Sequence, residues 1–253
     1  MMTATQISSA GVARHGRLSL WLLGAFRLTT TAGEVALGDC GARLLALLAL
    51  RERRVTRCGV AGTLWPETSD DHAQCNLRSA LCRLPGAARR AVDVKAHDLS
   101  LAAHVDVDLR RSRELALRLL DPGAPSPAAD LSSAAMRALS NDLLPDCYDD
   151  WVVHEADAWL QLRVHALEAL AAQLVGARRF GEAAAAATLA VCAEPLRETA
   201  RCALIQVHLA EGNQSDALQE FQRYRALIRA ELGLEPTARL HELVRDLQPA
   251  PML

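Results

Sequence analysis

The stretch that decides the architecture is Phe180-Gly-Glu-Ala183, which returns as Ser215-Asp-Ala217, with Ala183 and Ala217 34 residues apart. An apolar run leads into each copy: Leu167, Leu170, Ala171 and Leu174 before the first, Leu204, Ile205 and Leu209 before the second. Spacings of three and four residues put such side chains on one face of a helix. A polar turn follows each run, and the small alanine that opens the next helix lets two helix backbones approach closely. The C-terminal part of the chain therefore reads as stacked helical hairpins.

A 34-residue period with this layout is the signature of tetratricopeptide-like repeats, which present surfaces to partners rather than perform chemistry. Ala183 and Ala217 are accordingly expected to be structural. An ordinary helical bundle is the alternative, but period, turn polarity and small residue agree on the repeat.

A chain of 253 residues can hold two domains with real cores. Its hydrophobic content is 51% and its aromatic content only 4%, so those cores are built from Leu, Ala and Val, a composition that favours helices. Lys95 is the sole lysine; the other 27 basic residues are arginine. Residues 1–111 carry 15 basic against 10 acidic side chains, whereas residues 112–253 carry 13 against 20. A basic first part suggests a polyanionic partner for it, and something else for the acidic remainder. The seven cysteines are odd in number and form no C-x-x-C pair, which reads as a reduced, cytoplasmic protein without structural disulfides. Residues 1–16 lack an apolar h-region and read as a disordered leader. The longest apolar run, Leu44–Leu50, is too short to cross a bilayer, and no membrane partner is expected.

Along the chain, Leu18–Thr30 reads as one strand kinked at Gly24, Ala32-Gly33 as a turn, and Glu34–Leu37 as a second short strand. Arg43–Arg51 is an apolar helix. Thr56 caps a second helix that ends at Trp65-Pro66, with Trp65 expected to pack under the helix that follows. Ser69 or Asp70 caps this third helix, which runs to about Leu84 before Pro85-Gly86. Ala91–Lys95 and Leu99–Ala102 then form a hairpin. Strands, three helices and a hairpin in this order predict a winged helix-turn-helix. Val105–Asp108 leads into a helix through Leu120, Asp121–Pro127 is a breaker-rich loop, another helix ends at Leu139, and a long helix from about Val152 enters the repeats. The expected fold class is mainly α with a small β component: residues 1–16 a leader, 17–104 a winged helix, 105–253 an all-α tetratricopeptide-like domain.

On the third helix, Ala73, Leu77, Ala80, Leu81 and Leu84 share one face as a core stripe. The opposite face carries Cys75, Ser79 and Cys82, flanked by Arg78 and Arg83. Arginines beside small polar residues suit a major groove, because a guanidinium pairs bidentately with guanine or holds a phosphate. Arg89, Arg90 and Lys95 follow at the start of the wing, within reach of the adjacent backbone. With Arg43 and Arg57 they complete the set of candidate DNA contacts. From Asn76 to Lys95 there are five basic residues and one acid, Asp93. A solvated face of salt-bridged arginines is the bland reading; the winged-helix layout favours DNA.

These residues resemble the Streptomyces antibiotic regulatory protein family, in which an OmpR-type winged helix is fused to a bacterial transcriptional activator domain. Thr63-Leu-Trp-Pro-Glu67, Asn76–Leu84, Val105-Asp-Val-Asp108, Leu143–Trp151 and Glu231-Leu-Gly-Leu-Glu-Pro236 carry the resemblance, which spans Leu20 to Leu247. It implies a transcription activator that binds double-stranded promoter DNA at direct repeats, beside a second protomer, and recruits RNA polymerase holoenzyme including its sigma factor. Secondary-metabolite gene clusters are the implied targets. Trp151, within one of the shared motifs, is expected to be structural. The chain departs from the family at Asp39-Cys-Gly-Ala42, where many members place a basic cluster, and at Cys82-Arg-Leu-Pro85, where Ser-Arg-Leu-Arg is frequent. The wing also lacks the frequent Gly-Tyr-Arg. These departures imply weaker binding that depends on cooperating partners.

No G-x-x-x-x-G-K-[ST] phosphate loop is present, so the ATPase module of larger relatives is not expected, and no receiver-like acidic pocket precedes the winged helix. The eight histidines are scattered without metal-ligand spacing, and His154, His165 and His208 read as packed or solvent-facing helix residues. Asp149-Asp150 reads as a helix cap rather than an acid–base pair. No active site, metal or cofactor is expected. The rival from another class is a repeat-based interaction adaptor with a degenerate winged helix, favoured by the weakened first-helix charge and by Pro85.

Overall fold

The computed structural model describes residues 17–121, 123 and 127–247; the leader read at residues 1–16 lies outside the described residues. By contacts the described residues divide into two units, the first made of residues up to 21 with 26–107, the second of residues 22–25 with those from 108 onward.

In the first unit, β1 (Leu18–Trp21) pairs antiparallel with β2 (Arg27–Thr30), which pairs with β3 (Gly33–Glu34). Leu18–Thr30 is thus a hairpin and not one kinked strand. Gly24 adopts φ +84, in the left-handed region that glycine tolerates, and reverses the chain there. The second predicted strand is also shorter than Glu34–Leu37, because after one further bond, Val35 N–H to Leu28 O, the chain turns into a helix. That helix, α1 (Asp39–Arg51), begins four residues before Arg43 with Gly38 at its N-cap. Gly41 lies where α1 nears the end of the third helix: a Cβ there would stand 3.1 Å from Leu84 Cδ2, a tight contact that the end of the leucine side chain would have to relieve.

Thr56 caps α2 (Arg57–Leu64), its hydroxyl accepting from Gly59 N–H at 3.1 Å, and Trp65 follows as the C-cap. Ser69 stands at the N-cap of α3 (Asp70–Arg83), with its hydroxyl on His72 Nδ1 rather than on a backbone N–H. The predicted stripe Ala73, Leu77, Ala80, Leu81 and Leu84 is buried throughout. After Pro85 the chain makes a short helix that sequence periodicity had not indicated, α4 (Gly86–Arg90). The wing is the hairpin β5 (Val92–Val94) and β6 (Asp98–Leu101), to which β4 (Val55–Thr56) adds a third strand in the order β4-β6-β5. Finally β7 (Val105–Val107) pairs parallel with β1, Leu18 opposite Val105, and completes a sheet of order β3-β2-β1-β7. By contacts the first unit runs to Val107, because this last strand belongs to its sheet.

Among its described residues the second unit is helical apart from loops and an isolated bridge between Leu23 and Leu143: α5 (Asp108–Leu120), α6 (Ser133–Leu139), α7 (Asp150–Gly176), α8 (Phe180–Ala193), α9 (Glu198–Glu211), α10 (Gln214–Leu232) and α11 (Ala238–Leu243). α7 packs on α8, α8 on α9 and α9 on α10, the stacked hairpins that the 34-residue period demands. Ala183 and Ala217 are each the fourth residue of their helix and are wholly buried. Half-buried ion pairs join the layers. Arg197 reaches Glu168 at 3.1 Å and Glu194 at 3.0 Å, and Arg201 reaches Glu220 at 2.9 Å. α7 starts at Asp150, two residues before the predicted Val152, and Asp149 caps it through its backbone carbonyl only. Trp159 is the fully buried indole of this unit, its Nε1 donating to Asn141 O at 2.9 Å. Trp151 is half-buried, and its indole nitrogen is buried without a partner. Among the described residues no helix is long and apolar enough to cross a membrane.

Candidate nucleic-acid interface

Because α3 buries its stripe completely, the opposite face is fixed as a surface. Cys75, Arg78, Ser79, Cys82 and Arg83 are all exposed there. Arg78 lies back along its own helix, Nη2 to Cys75 Sγ at 3.0 Å, a weak bond that a nucleic-acid acceptor could displace. Acidic Asp70 and Asp71 stand in the first turn of α3 and basic Arg83 in the last, each complementing the helix dipole. The cationic end of the helix is thus the one that carries Arg78 and Arg83.

Beside Ser79 and Arg83 lies a hollow of about 440 Å³, also lined by Trp65, Asn76, the start of α1 and Pro85. Trp65 is half-buried in its wall, alongside α3 rather than sealed beneath it; the fully buried neighbour is Leu64. Asn76, which the sequence reading passed over, joins Ser79 and Arg83 at this hollow; its position one turn before Ser79 was the available signal.

The remaining predicted cations fall into two groups. Lys95 is exposed at the tip of the wing, where its N–H donates to Asp98 O at 2.9 Å. Arg57, half-buried at the start of α2, meets the same tip through its backbone N–H to His97 O at 2.9 Å. The other group braces helix ends. Arg43 Nη2 donates to Leu64 O at 3.1 Å, Arg89 Nη1 to Leu81 O at 3.2 Å and Arg90 Nη1 to Gly86 O at 3.3 Å. Arg89 and Arg90 sit on α4, not at the start of the wing strand. Sequence reasoning also missed Arg53 and Arg54, exposed in the turn before β4. Arg54 pairs at 3.0 Å with Asp93, the one acid between Asn76 and Lys95, and so offsets it. The charged run Arg51-Glu-Arg-Arg54 was visible in the sequence, but only the β4–β6 pairing brings it to the wing.

Residues 105–248, more than half of the chain, match the bacterial transcriptional activator domain. The regulatory protein AfsR of Streptomyces coelicolor is 28% identical over 247 residues, covering 94% of this chain and 25% of AfsR. The chain thus spans about a quarter of that curated relative's length. Among solved structures, EmbR of Mycobacterium tuberculosis, in complex with a low-affinity phosphopeptide, superposes with a TM-score of 0.72 over 93% of this chain and 66% of EmbR. At 24% identity that likeness speaks for the fold.

Proposed function

Because the chain belongs to the Streptomyces antibiotic regulatory protein family of transcriptional activators, in which a bacterial transcriptional activator domain follows a winged helix, we propose that its first unit binds promoter DNA. In this reading α3 enters the major groove with Arg78, Ser79 and Arg83 towards the bases, and Lys95 and Arg57 hold phosphates at the wing. The second unit engages RNA polymerase holoenzyme including its sigma factor, and two protomers stand side by side on direct repeats near a secondary-metabolite gene cluster. The observation that carries the reading is the exposed basic and small-polar face of α3 opposite a wholly buried stripe. The acidic balance of residues 112–253, 20 acids against 13 bases, favours a protein rather than a nucleic-acid partner for the second unit.

The adaptor reading retains one favouring observation: Arg43, Arg89 and Arg90 spend hydrogen bonds on helix carbonyls and leave fewer cations for a duplex. A gel-shift of the full chain on the promoters flanking its own gene decides between the two. Sequence-selective retardation that weakens as salt rises supports the activator, and no retardation at low salt supports the adaptor.

A further inference from the structure

On the second unit a groove of about 290 Å³ opens between the segment Leu143–Cys147 and the first turns of α7. Its lining is apolar, with Leu144, Pro145, Val153 and Leu160 among the walls and Asp142 and Asp157 as its only charged members. Val153 is 48% exposed, and beside the groove Tyr148 is 85% exposed, so large apolar groups are left in water here. The wall is held in place. Leu144 adopts φ +43, and it is fixed by its N–H to Leu22 O and by Cys147 N–H to its own carbonyl, both at 2.9 Å.

Acids predominate along the segment that forms this groove. Between Arg137 and Arg163 the sequence holds no lysine or arginine and six acids: Asp142, Asp146, Asp149, Asp150, Glu155 and Asp157. Arg163 answers Asp142, and Arg113 answers Glu155. Asp146, Asp150 and Asp157 are exposed and form no ion pair among the described residues.

An apolar seat beside three exposed acids without ion pairs, Asp146, Asp150 and Asp157, complements one chemistry, an aliphatic anchor flanked by cations, and disfavours nucleic acid and anionic lipid alike. We propose that this groove docks a basic amphipathic helix of another protein, with leucine-type side chains against Val153 and Leu160 and lysines or arginines against Asp146, Asp150 and Asp157. Burial of the anchor supplies affinity, while the three acids speed encounter and set orientation. Neither the groove nor its charge depends on what the first unit binds.

The test uses the full chain and a fluorescein-labelled peptide of leucine and lysine, with leucines at i, i+3, i+4 and i+7, read by fluorescence anisotropy. Wild type should bind it saturably. Val153→Glu should weaken binding about tenfold or more although it adds negative charge, because it fills the apolar seat with a carboxylate. Asp157→Lys should weaken binding and reduce its salt sensitivity. Leu117→Glu, a like change at an exposed leucine of α5, should leave affinity unchanged. Circular dichroism confirms that each variant is folded. The proposal is overturned if Val153→Glu binds as tightly as wild type, since the peptide then only condenses on an acidic surface. It is equally overturned by absent binding, by an equal loss in Leu117→Glu, or by sedimentation of wild type as a dimer that Val153→Glu dissolves, which would seat a second copy in the groove.

Discussion

Arg89 Nη1 donates to Leu81 O at 3.2 Å, folding the guanidinium of α4 back onto the last turn of α3. A helix leaves its final carbonyls without intrahelical donors, and a cation there satisfies one and meets the negative end of the dipole. Arg43 does the same for α2 through Leu64 O at 3.1 Å. The cations of the first unit therefore divide by role, and the division yields opposite expectations for substitution.

Arg89→Ala and Arg43→Ala should each lower stability by about 1 kcal/mol, the usual net worth of such a bond. A downward shift of the urea midpoint without change in slope is the expected reading. Unchanged midpoints together with a large loss of DNA affinity would move both residues to the interface.

Arg78→Ala and Arg83→Ala should behave in the reverse way: unchanged circular dichroism and midpoint, but weaker operator binding. Loss of a base contact should cost about 1–3 kcal/mol and relax selectivity at one position. Loss of a phosphate contact should weaken all sequences alike and lower the salt slope by about one. Normal affinity in both variants would sink the assignment of α3 as the reading helix.

The two tryptophans Trp65 and Trp159 should separate by burial. Trp159 is 1% exposed and its indole N–H satisfies Asn141 O, so Trp159→Ala should cost about 3–5 kcal/mol. Trp65 is half-buried in the wall of an open hollow, and Trp65→Ala should cost clearly less, about 1–2 kcal/mol. Thermal melts rank the pair; an equal or larger loss at Trp65 would mean that the hollow closes over it in solution.

What the sequence disclosed followed from how far each signal extends along the chain. The stripe of α3 repeats over Ala73–Leu84, and the 34-residue period spans two hairpins, so both stand above local noise. Gly24 was ambiguous because Leu22 and Leu23 on one side and Phe26 on the other look alike to a strand pattern; only its positive φ distinguishes a reversal from a kink. α4 has five residues and β4 two, too few for any period to register. The bracing roles of Arg43 and Arg89 depend on carbonyls 21 and 8 residues away, which composition and spacing do not encode. Trp151 drew notice as part of a motif, while Trp159, one residue in a long apolar pattern, proved to be the core indole.

Asp108 offers a test by pH. Its carboxylate accepts from Leu22 N–H at 2.8 Å, Leu23 N–H at 3.0 Å and Leu109 N–H at 2.7 Å. Burial pushes its pKa above the ordinary 3.8, and the three N–H donors pull it only part of the way back. A raised carboxyl means that the unfolded chain ionises first. As pH climbs from 3.8 through the folded value, the folded state therefore holds more protons than the unfolded, and this group's contribution to stability falls, then levels off. Asp108→Asn cannot titrate and offers one acceptor oxygen, so one backbone N–H loses its partner at a cost of about 1–3 kcal/mol. Wild type should thus exceed the variant in urea unfolding by a margin that is largest near pH 4 and shrinks towards neutrality. A margin that grows with pH would show that the three N–H donors outweigh burial and hold the carboxyl below its ordinary value.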